Sequence, residues 1–241
     1  MEFFKDLLNF IFPARCFICH GLLDINEGLC EKCLQKIKFV SEPFCSKCGK
    51  PFKTKETFEG VLDPVCLDCR DKKIFFEYAR SLGNYEGVLR QCIHLLKYRG
   101  KKVILKKIDN IVEDLIGDLF CLEKISFVLP VPLHKKRFQE RGFNQSTLIA
   151  NLIGDSYSIP VIEEMLERIS FSRPQVALGK KERIKNIKNV FKASTSPWIK
   201  NSIILLVDDV YTTGSTVNEC ARILKKAGAS KVYVFTLAHG R

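Results

Sequence analysis

Eight cysteines stand in four C-x-x-C pairs near the start of the chain, and this regular spacing constrains the N-terminal fold more than any other feature. Two intervening residues let both thiolates of a tight turn face one metal ion, and four thiolates complete the tetrahedral shell of a structural zinc. The pattern therefore predicts two structural zinc sites with no open position for a catalytic water. The predicted ligands are Cys16, Cys19, Cys30, Cys33, Cys45, Cys48, Cys66 and Cys69.

The spacing leaves open whether the pairs combine in order or interleave. The last two pairs are 17 residues apart, as in a zinc ribbon, and the first two are only 10 apart. His20 is available as a substitute ligand, although we expect a bystander. Gly21 and Gly49 suit the turns that such sites need. Iron–sulfur ligation is the main rival interpretation, and a redox dithiol is a weaker one. We predict that the remaining thiols, Cys92, Cys121 and Cys220, are buried.

The charge balance bears on the partners. Lys and Arg number 39 and Asp and Glu 27, so the net charge is +12, which favours polyanions such as nucleic acid, phosphorylated metabolites or an anionic membrane. The excess is spread along the chain, so a merely basic surface also explains it. Residues 3–11 predict a short amphipathic helix without the features of a signal peptide. No apolar run approaches the roughly 18 residues of a membrane span. We therefore expect a cytoplasmic protein with reduced, metal-bound cysteines.

Beyond residue 72 of the 241, strand and helix patterns alternate. The apolar run Ser202–Val207 is typical of a central strand in a parallel sheet, and Asn144 is a predicted helix N-cap. The organisation indicates a zinc module over 1–72 and a Rossmann-like α/β domain over 73–241. The predicted strands are 78–85, 126–131, 202–207 and 231–237, and the predicted helices are 86–98, 101–119, 144–153 and 215–227.

The segment Ile203–Thr216 joins an apolar strand, two acids, a hydroxyl-rich turn and a helix start. A helix N-terminus presents free amides to a phosphate, and hydroxyls and a glycine support close approach. Two carboxylates suit ribose hydroxyls or a divalent cation. A Walker loop is absent. The candidate residues are Asp208, Asp209, Thr212, Thr213, Gly214, Ser215 and Thr216.

This segment resembles the phosphoribosyl pyrophosphate (PRPP) signature of the type I phosphoribosyltransferases. The resemblance implies that the acids hold the ribose hydroxyls, that Thr212 to Thr216 cradle the 5′-phosphate and that Mg²⁺ accompanies PRPP. In this class a loop after an early strand holds the pyrophosphate, which implicates Leu133 to Arg137 and also Arg141.

Further elements resemble the ComF competence-protein family along nearly the whole chain. They are the Cys-rich start, Tyr98-Arg99-Gly100, Val131-Pro132-Leu133, Arg137, Arg141-Gly142-Phe143-Asn144-Gln145, and Arg168 with Gln175, Leu178, Arg183 and Asn186. The resemblance implies a type I phosphoribosyltransferase domain and a role in DNA uptake. Ser172 stands where the family pattern has Thr, which keeps the hydroxyl. Such domains are amidophosphoribosyltransferase-like, but the start is a zinc module rather than a glutamine amidotransferase, so we expect the purine-pathway activity to be absent.

Three functions remain open at this point. The domain binds PRPP and assists DNA import, or transfers a phosphoribosyl group to an unidentified acceptor, or the chain is a nucleic-acid-binding module. Expected partners are PRPP, single-stranded DNA and a DNA-import helicase or channel component. Phe44, Phe52 and Phe58 are candidates for stacking on bases or for a small core. No catalytic residue is assigned; His134 fits a general base or an exposed loop residue. Residues 168–186 resemble a mobile lid.

Overall fold

The computed structural model describes residues 13–23, 28–52, 63–170, 189–194 and 196–240. The predicted N-terminal helix, Phe58, Ser172 and most of the predicted lid lie outside this part. The strands are β1 Ala79–Asn84, β2 Phe127–Pro130, β3 Leu166–Arg168, β4 Phe191–Ala193, β5 Ile203–Tyr211 and β6 Lys231–His239. The helices are α1 Glu31–Leu34, α2 Leu67–Arg70, α3 Gly87–Arg99, α4 Val103–Leu119, α5 Lys135–Arg141, α6 Gln145–Tyr157 and α7 Ser215–Lys226, with 3₁₀ turns at Leu122–Lys124 and Pro197–Ile199.

A four-stranded parallel sheet in the order β1-β6-β5-β2 forms the centre of the fold, which confirms the α/β prediction. β5 extends four residues beyond its predicted end at Val207, because β6 pairs with it as far as Tyr211 opposite His239. The two acids therefore lie inside the strand and not after it. β3 and β4 form a separate antiparallel pair that was not predicted, since strands of three residues carry no periodic signal.

The two faces of the sheet bury different helices. Leu205 and Val207 of β5 pack into a core with α3, α4 and α6, whereas Ile204 and Leu206 face a core with α7. This alternation follows from the two-residue period of a strand. Because both faces are covered, the sheet strands are almost continuously apolar.

Asn144 ties α6 to the end of β2, as its predicted N-cap role requires. Its Oδ1 accepts from the amide of Ser146 at 3.1 Å, and its Nδ2 donates to the carbonyl of Val131 at 3.0 Å. Since Asn144 is buried, both polar ends of its amide are satisfied where water has little access. The cap fixes where α6 begins relative to the edge of the sheet that carries the acid pair.

The cysteine-rich module packs against both cores. Cys16, Leu29 and Ile37 join the core of α3, and Cys45 and Cys69 join the core of α7. Between the two cysteine clusters the chain runs along β1, where the amide of Val40 donates to Leu82 and that of Asn84 donates to Lys38. The outer edge of β1 is thereby covered, which removes an exposed pairing edge. No helix in the described part of the chain is long and apolar enough to cross a membrane.

Candidate functional site

The four cysteine pairs combine in chain order. Cys16, Cys19, Cys30 and Cys33 form one cluster, and Cys45, Cys48, Cys66 and Cys69 form the other, each with its sulfurs within 4.8 Å of one another. Sulfur–sulfur distances are 3.6 Å for Cys19–Cys30 and 3.7 Å for Cys48–Cys66. Two thiolates at 2.3 Å from one tetrahedral zinc are about 3.8 Å apart. Both clusters therefore fit a structural zinc.

The turn after each cluster's first pair needs a left-handed residue. In the second cluster it is Gly49, with φ +71°, where a side chain would meet the carbonyl of Ala79 at 2.8 Å. In the first cluster the equivalent residue is His20, with φ +60°, and not the neighbouring Gly21. His20 lies outside the cluster of ligand atoms. Gly21 lies in the same turn, where its carbonyl accepts from the amide of Cys16 at 2.9 Å, but the left-handed position is His20, directly after the second cysteine.

The thiols of the second cluster differ in acidity. Hydrogen bonding to Cys48 lowers the pKa of Cys45 to about 4, whereas burial raises the pKa of Cys69 to about 12. The amide of Cys66 donates to the sulfur of Cys45 at 3.3 Å, which also favours the thiolate. Zinc binds cysteine as the thiolate, so zinc binding to this cluster depends on pH.

Two of the three remaining thiols are buried as predicted. Cys92 and Cys220 lie in the two cores. Cys121 is exposed, so the prediction for it is wrong. The chain leaves α4 at this point, and the neighbouring Phe120 takes the buried position.

The carboxylate of Asp208 lies between β5 and α6. Its Oδ1 accepts from the Ser146 hydroxyl at 3.0 Å and from the amide of Asp209 at 2.9 Å. Burial, and then the charge of Asp209, raise the pKa of Asp208 to about 7. The neutral and ionised forms of Asp208 are therefore both accessible near neutral pH.

Asp209 meets a lysine of α3 that sequence reasoning missed. Lys97 of α3 places its Nζ 2.9 Å from Asp209 Oδ1, with the two side chains only 17% and 7% exposed. Asp209 Oδ2 is buried without a hydrogen-bond partner among the described residues. The sequence did contain an indication of this contact. Lys97 comes four residues after Ile93 and therefore lies on the buried face of α3.

The turn after β5 opens α7 as predicted. Gly214 has φ +71°, and a methyl group there would overlap the hydroxyl of Tyr211. The hydroxyls of Thr213 and Ser215 lie 2.7 Å apart, while Thr212 is exposed. The amide of Ser215, the first residue of α7, donates to Thr213 Oγ1 at 3.4 Å, so the hydroxyl pair lies against a helix start, a position that suits an anion. The sequence-predicted residues of this segment thus follow one another along the end of β5, the turn and the start of α7.

The predicted arginines are only partly brought together with the acids. Arg168 lies in electrostatic reach of Arg137 and Asp208, and burial lowers its pKa. Arg141 instead donates to Gln145 Oε1 at 2.9 Å, with its guanidinium 5.2 Å from the centre of the Tyr98 ring. The predicted loop Leu133–Arg137 becomes helix α5 at Lys135.

His134 acts in the structure as the N-cap of α5. Its Nδ1 accepts from the amide of Lys136 at 3.2 Å. An N-cap interaction of this kind satisfies one of the amides left free at a helix start. The N-cap bond gives this position a structural role.

The segment that follows the second cysteine cluster supports the turn between β5 and α7. Lys72 Nζ donates to the carbonyl of Thr213 at 3.4 Å, and the amide of Phe75 donates to Asn218 Oδ1 at 2.8 Å. Tyr211 packs edge-on against Phe76, with ring centres 6.5 Å apart. A cleft of about 1150 Å³ remains between this module and the start of α7.

Two of the three phenylalanines proposed for stacking on bases, Phe44 and Phe52, are engaged within the protein, and Phe58 lies outside the described residues. The guanidinium of Arg80 lies 4.7 Å from the centre of the Phe44 ring. Phe52 packs against the core that contains α7. These contacts favour the alternative that they form a small core.

Comparisons with known proteins agree with this architecture. Residues 7–70 match a family model described as a double zinc ribbon domain, and residues 149–241 match the phosphoribosyl transferase domain. The chain is 30% identical to competence protein F of Haemophilus influenzae over 96% of this chain and 99% of the relative. It is 29% identical to competence protein ComFC of Bacillus subtilis over 90% and 86%. It is also 27% identical to the DNA utilization protein YhgH of Escherichia coli over 93% and 96%.

Proposed function

Because the chain belongs to the ComF competence-protein family, we propose that it binds PRPP with a divalent cation at the carboxyl end of β5 and assists DNA uptake. The relatives' names, competence protein and DNA utilization protein, support the second part. We place the protein in the cytoplasm, where it meets PRPP and incoming single-stranded DNA. A helicase or channel component of the import machinery is the protein partner that this role requires.

The acid pair at the end of β5, which leads directly into the turn that starts α7, carries the proposal. A ligand with ribose hydroxyls at one end and a phosphate at the other needs two kinds of group close together. These are hydrogen-bond acceptors for the hydroxyls and hydrogen-bond donors for the phosphate. Asp208 and Asp209 supply the acceptors. The amides of α7 and the hydroxyls of Thr213 and Ser215 supply the donors.

A divalent cation fits the same carboxylates. Mg²⁺ prefers oxygen ligands from one or two carboxylates together with substrate phosphates. The buried Asp209 Oδ2, without a partner among the described residues, is one acceptor that such an ion or a ribose hydroxyl would satisfy. When bound, the cation neutralises the charge of the diphosphate.

Two zinc ions complete the proposed composition, one in each cysteine cluster. Four thiolates leave no open position, so their role is to fold the N-terminal module. We assign that module to residues 1–72 and the phosphoribosyltransferase-type domain to residues 73–241.

Calorimetry with PRPP and Mg²⁺ tests the ligand site. We expect binding by the wild type and none by the double variant Asp209→Ala, Thr213→Val. The matched control is Asp118→Ala, an exposed acid near the end of α4. Leu119 beside it accepts from Tyr78, which precedes the amino end of β1, so this control lies away from the proposed site. Equal binding by wild type and double variant would disprove the assignment.

A transferase activity is the second candidate, and the electrostatic interaction of Arg168 with both Arg137 and Asp208 favours it. Cations beside the acid pair would stabilise a departing pyrophosphate. We propose Arg137 in this role, with Arg141 at the margin of the site because it faces Tyr98. A screen for pyrophosphate release from PRPP against candidate acceptors, with and without single-stranded DNA, tests this function. No release with any acceptor would leave PRPP binding as the function of the site.

A further inference from the structure

Three aromatic rings form a row along α3. Tyr85 at one end also lines the cleft beside the start of α7, whereas His94 and Tyr98 line a second groove. His94 lies 6.4 Å from Tyr85 and 5.6 Å from Tyr98, measured between ring centres. Tyr98 is 65% exposed, and His94 is also exposed. The Tyr85 hydroxyl and His94 Nε2 are 3.0 Å apart, which fixes the first two rings relative to each other. Exposed, preordered rings of this kind are available to stack on a ligand.

Cations flank the row. Arg90 lies 5.9 Å from the centre of the Tyr85 ring, and Arg141 lies 5.2 Å from that of Tyr98. Guanidinium groups in such positions stack on aromatic faces and remain free to bind phosphates. The row is therefore both aromatic and basic.

A groove of about 580 Å³ runs beside these rings, between α3 and the first zinc ribbon. Arg90, His94, Tyr98 and Arg99 line one side, and Phe17 of the ribbon lines the other. Among the described residues, none that lines the groove is acidic. Lys101 adds a further cation, 4.9 Å from the centre of the Phe17 ring. A polyanion with flat, apolar groups fits this combination.

We propose that this groove binds single-stranded DNA, with bases stacked on Tyr98 and His94 and phosphates held by the flanking arginines. A basic groove with exposed aromatic rings is the arrangement by which proteins bind single strands without sequence preference. In a duplex the bases remain stacked on one another, so only the phosphates would contact the groove. The inference rests on the proposed role in DNA uptake and adds the location of the DNA.

The groove ends next to the proposed PRPP site. Tyr98 directly follows Lys97, which holds Asp209, and Arg141 joins Tyr98 to Gln145 at the start of α6. Single-stranded DNA that extends from the groove past Tyr98 would therefore lie beside the acid pair. Helix α3 therefore contributes to both binding sites through neighbouring residues.

Fluorescence anisotropy with a labelled 30-nucleotide oligo(dT) tests the groove. At about 50 mM salt, where electrostatic binding is strong, Tyr98→Ala should raise Kd by roughly five- to 150-fold, the range for one lost base–aromatic stack. Tyr98→Phe should bind like the wild type because the ring is kept. The matched control is Trp198→Ala, which removes an exposed ring, 74% exposed, from the 3₁₀ turn Pro197–Ile199. Zinc content and circular dichroism verify that each variant is folded.

A salt series tests the cations in the same assay. The slope of log K against log salt is negative, and each lost phosphate contact to a single strand reduces its magnitude by about 0.7. We expect this change for Arg99→Ala and none for Lys226→Ala, an exposed cation at the end of α7. The oligo(dT) strand should also bind more tightly than a duplex of the same length.

The outcomes separate the groove from the function. If the wild type binds the oligonucleotide but Tyr98→Ala binds equally well, the proposed location in the groove is wrong, and direct DNA binding by the protein is still supported. If the wild type does not bind at about 50 mM salt, the proposal of direct DNA binding is wrong, and the proposed location in the groove is refuted as well. If the duplex binds as tightly as the single strand, phosphate contacts alone explain binding, and the stacking proposal is overturned.

Discussion

The ion pair between Lys97 and Asp209 should contribute more to stability than a surface pair, and Lys97→Met tests this. The Nζ–Oδ1 distance is 2.9 Å, and the two side chains are 17% and 7% exposed. Removal of one partner from a buried pair costs about 3–5 kcal/mol, against about 0–1 kcal/mol for a surface pair. Because Lys97 keeps some contact with water, we expect a loss near the lower limit, about 3 kcal/mol in the free energy of unfolding.

The loss should depend on pH with a defined sign. Burial and Asp209 already raise the pKa of Asp208 to about 7, and the charge of Lys97 opposes this rise. Without Lys97 the pKa of Asp208 rises further. A carboxyl whose pKa is higher in the folded state takes up a proton on folding, so stability falls as pH rises from the unfolded to the folded pKa. The deficit of Lys97→Met is therefore smaller at pH 5 than at pH 8.

Urea unfolding at pH 5, 7 and 8 with saturating zinc measures both quantities, with circular dichroism as the signal. Lys226→Met is the matched control, since Lys226 is exposed at the end of α7 and its loss should change stability by less than about 1 kcal/mol. A deficit for Lys97→Met that is equal at pH 5 and pH 8, or below about 1 kcal/mol at pH 8, would refute the reasoning. The pair would then behave as a solvated surface contact.

Three further predictions concern the ligand site and its support. Gly214→Ala should weaken PRPP binding at least roughly tenfold by calorimetry, because the methyl overlaps a tyrosine hydroxyl; Gly142→Ala, with a similar φ of +76° and open space, should keep PRPP affinity. Cys66→Ser should lower zinc content to one ion per chain and weaken PRPP binding, because Lys72, which contacts Thr213, directly follows the second cluster. Cys19→Ser should lower zinc content equally and keep PRPP affinity, and equal PRPP affinity in both variants would contradict this. PRPP affinity should rise with pH up to about 7, because the ionised Asp208 accepts ligand hydroxyls. Asp208→Asn should reduce this dependence to the part that the ligand's own phosphates contribute, and an unchanged pH profile in that variant would contradict the role of Asp208.

The parts of the site that lie within one short segment were predicted from the sequence. β5, the acid pair, the glycine turn and the start of α7 are consecutive, so their geometry follows from strand propensity, turn chemistry and helix capping. Asn144 was predicted as a cap for the same reason, and its bond to Ser146 spans two residues. The number of zinc sites followed from chelate spacing, since two residues between cysteines determine which sulfurs face one ion.

Tertiary packing decided everything that joins distant segments. The in-order pairing of the cysteines, the contact of Lys97 with Asp209 and the support of Thr213 by Lys72 each need residues far apart in the chain. A local pattern does not encode which surfaces meet, because that choice depends on how both faces of the sheet are buried at once. The full length of β5 had the same origin, since the pairing of Tyr211 with His239 extends the strand past the acids.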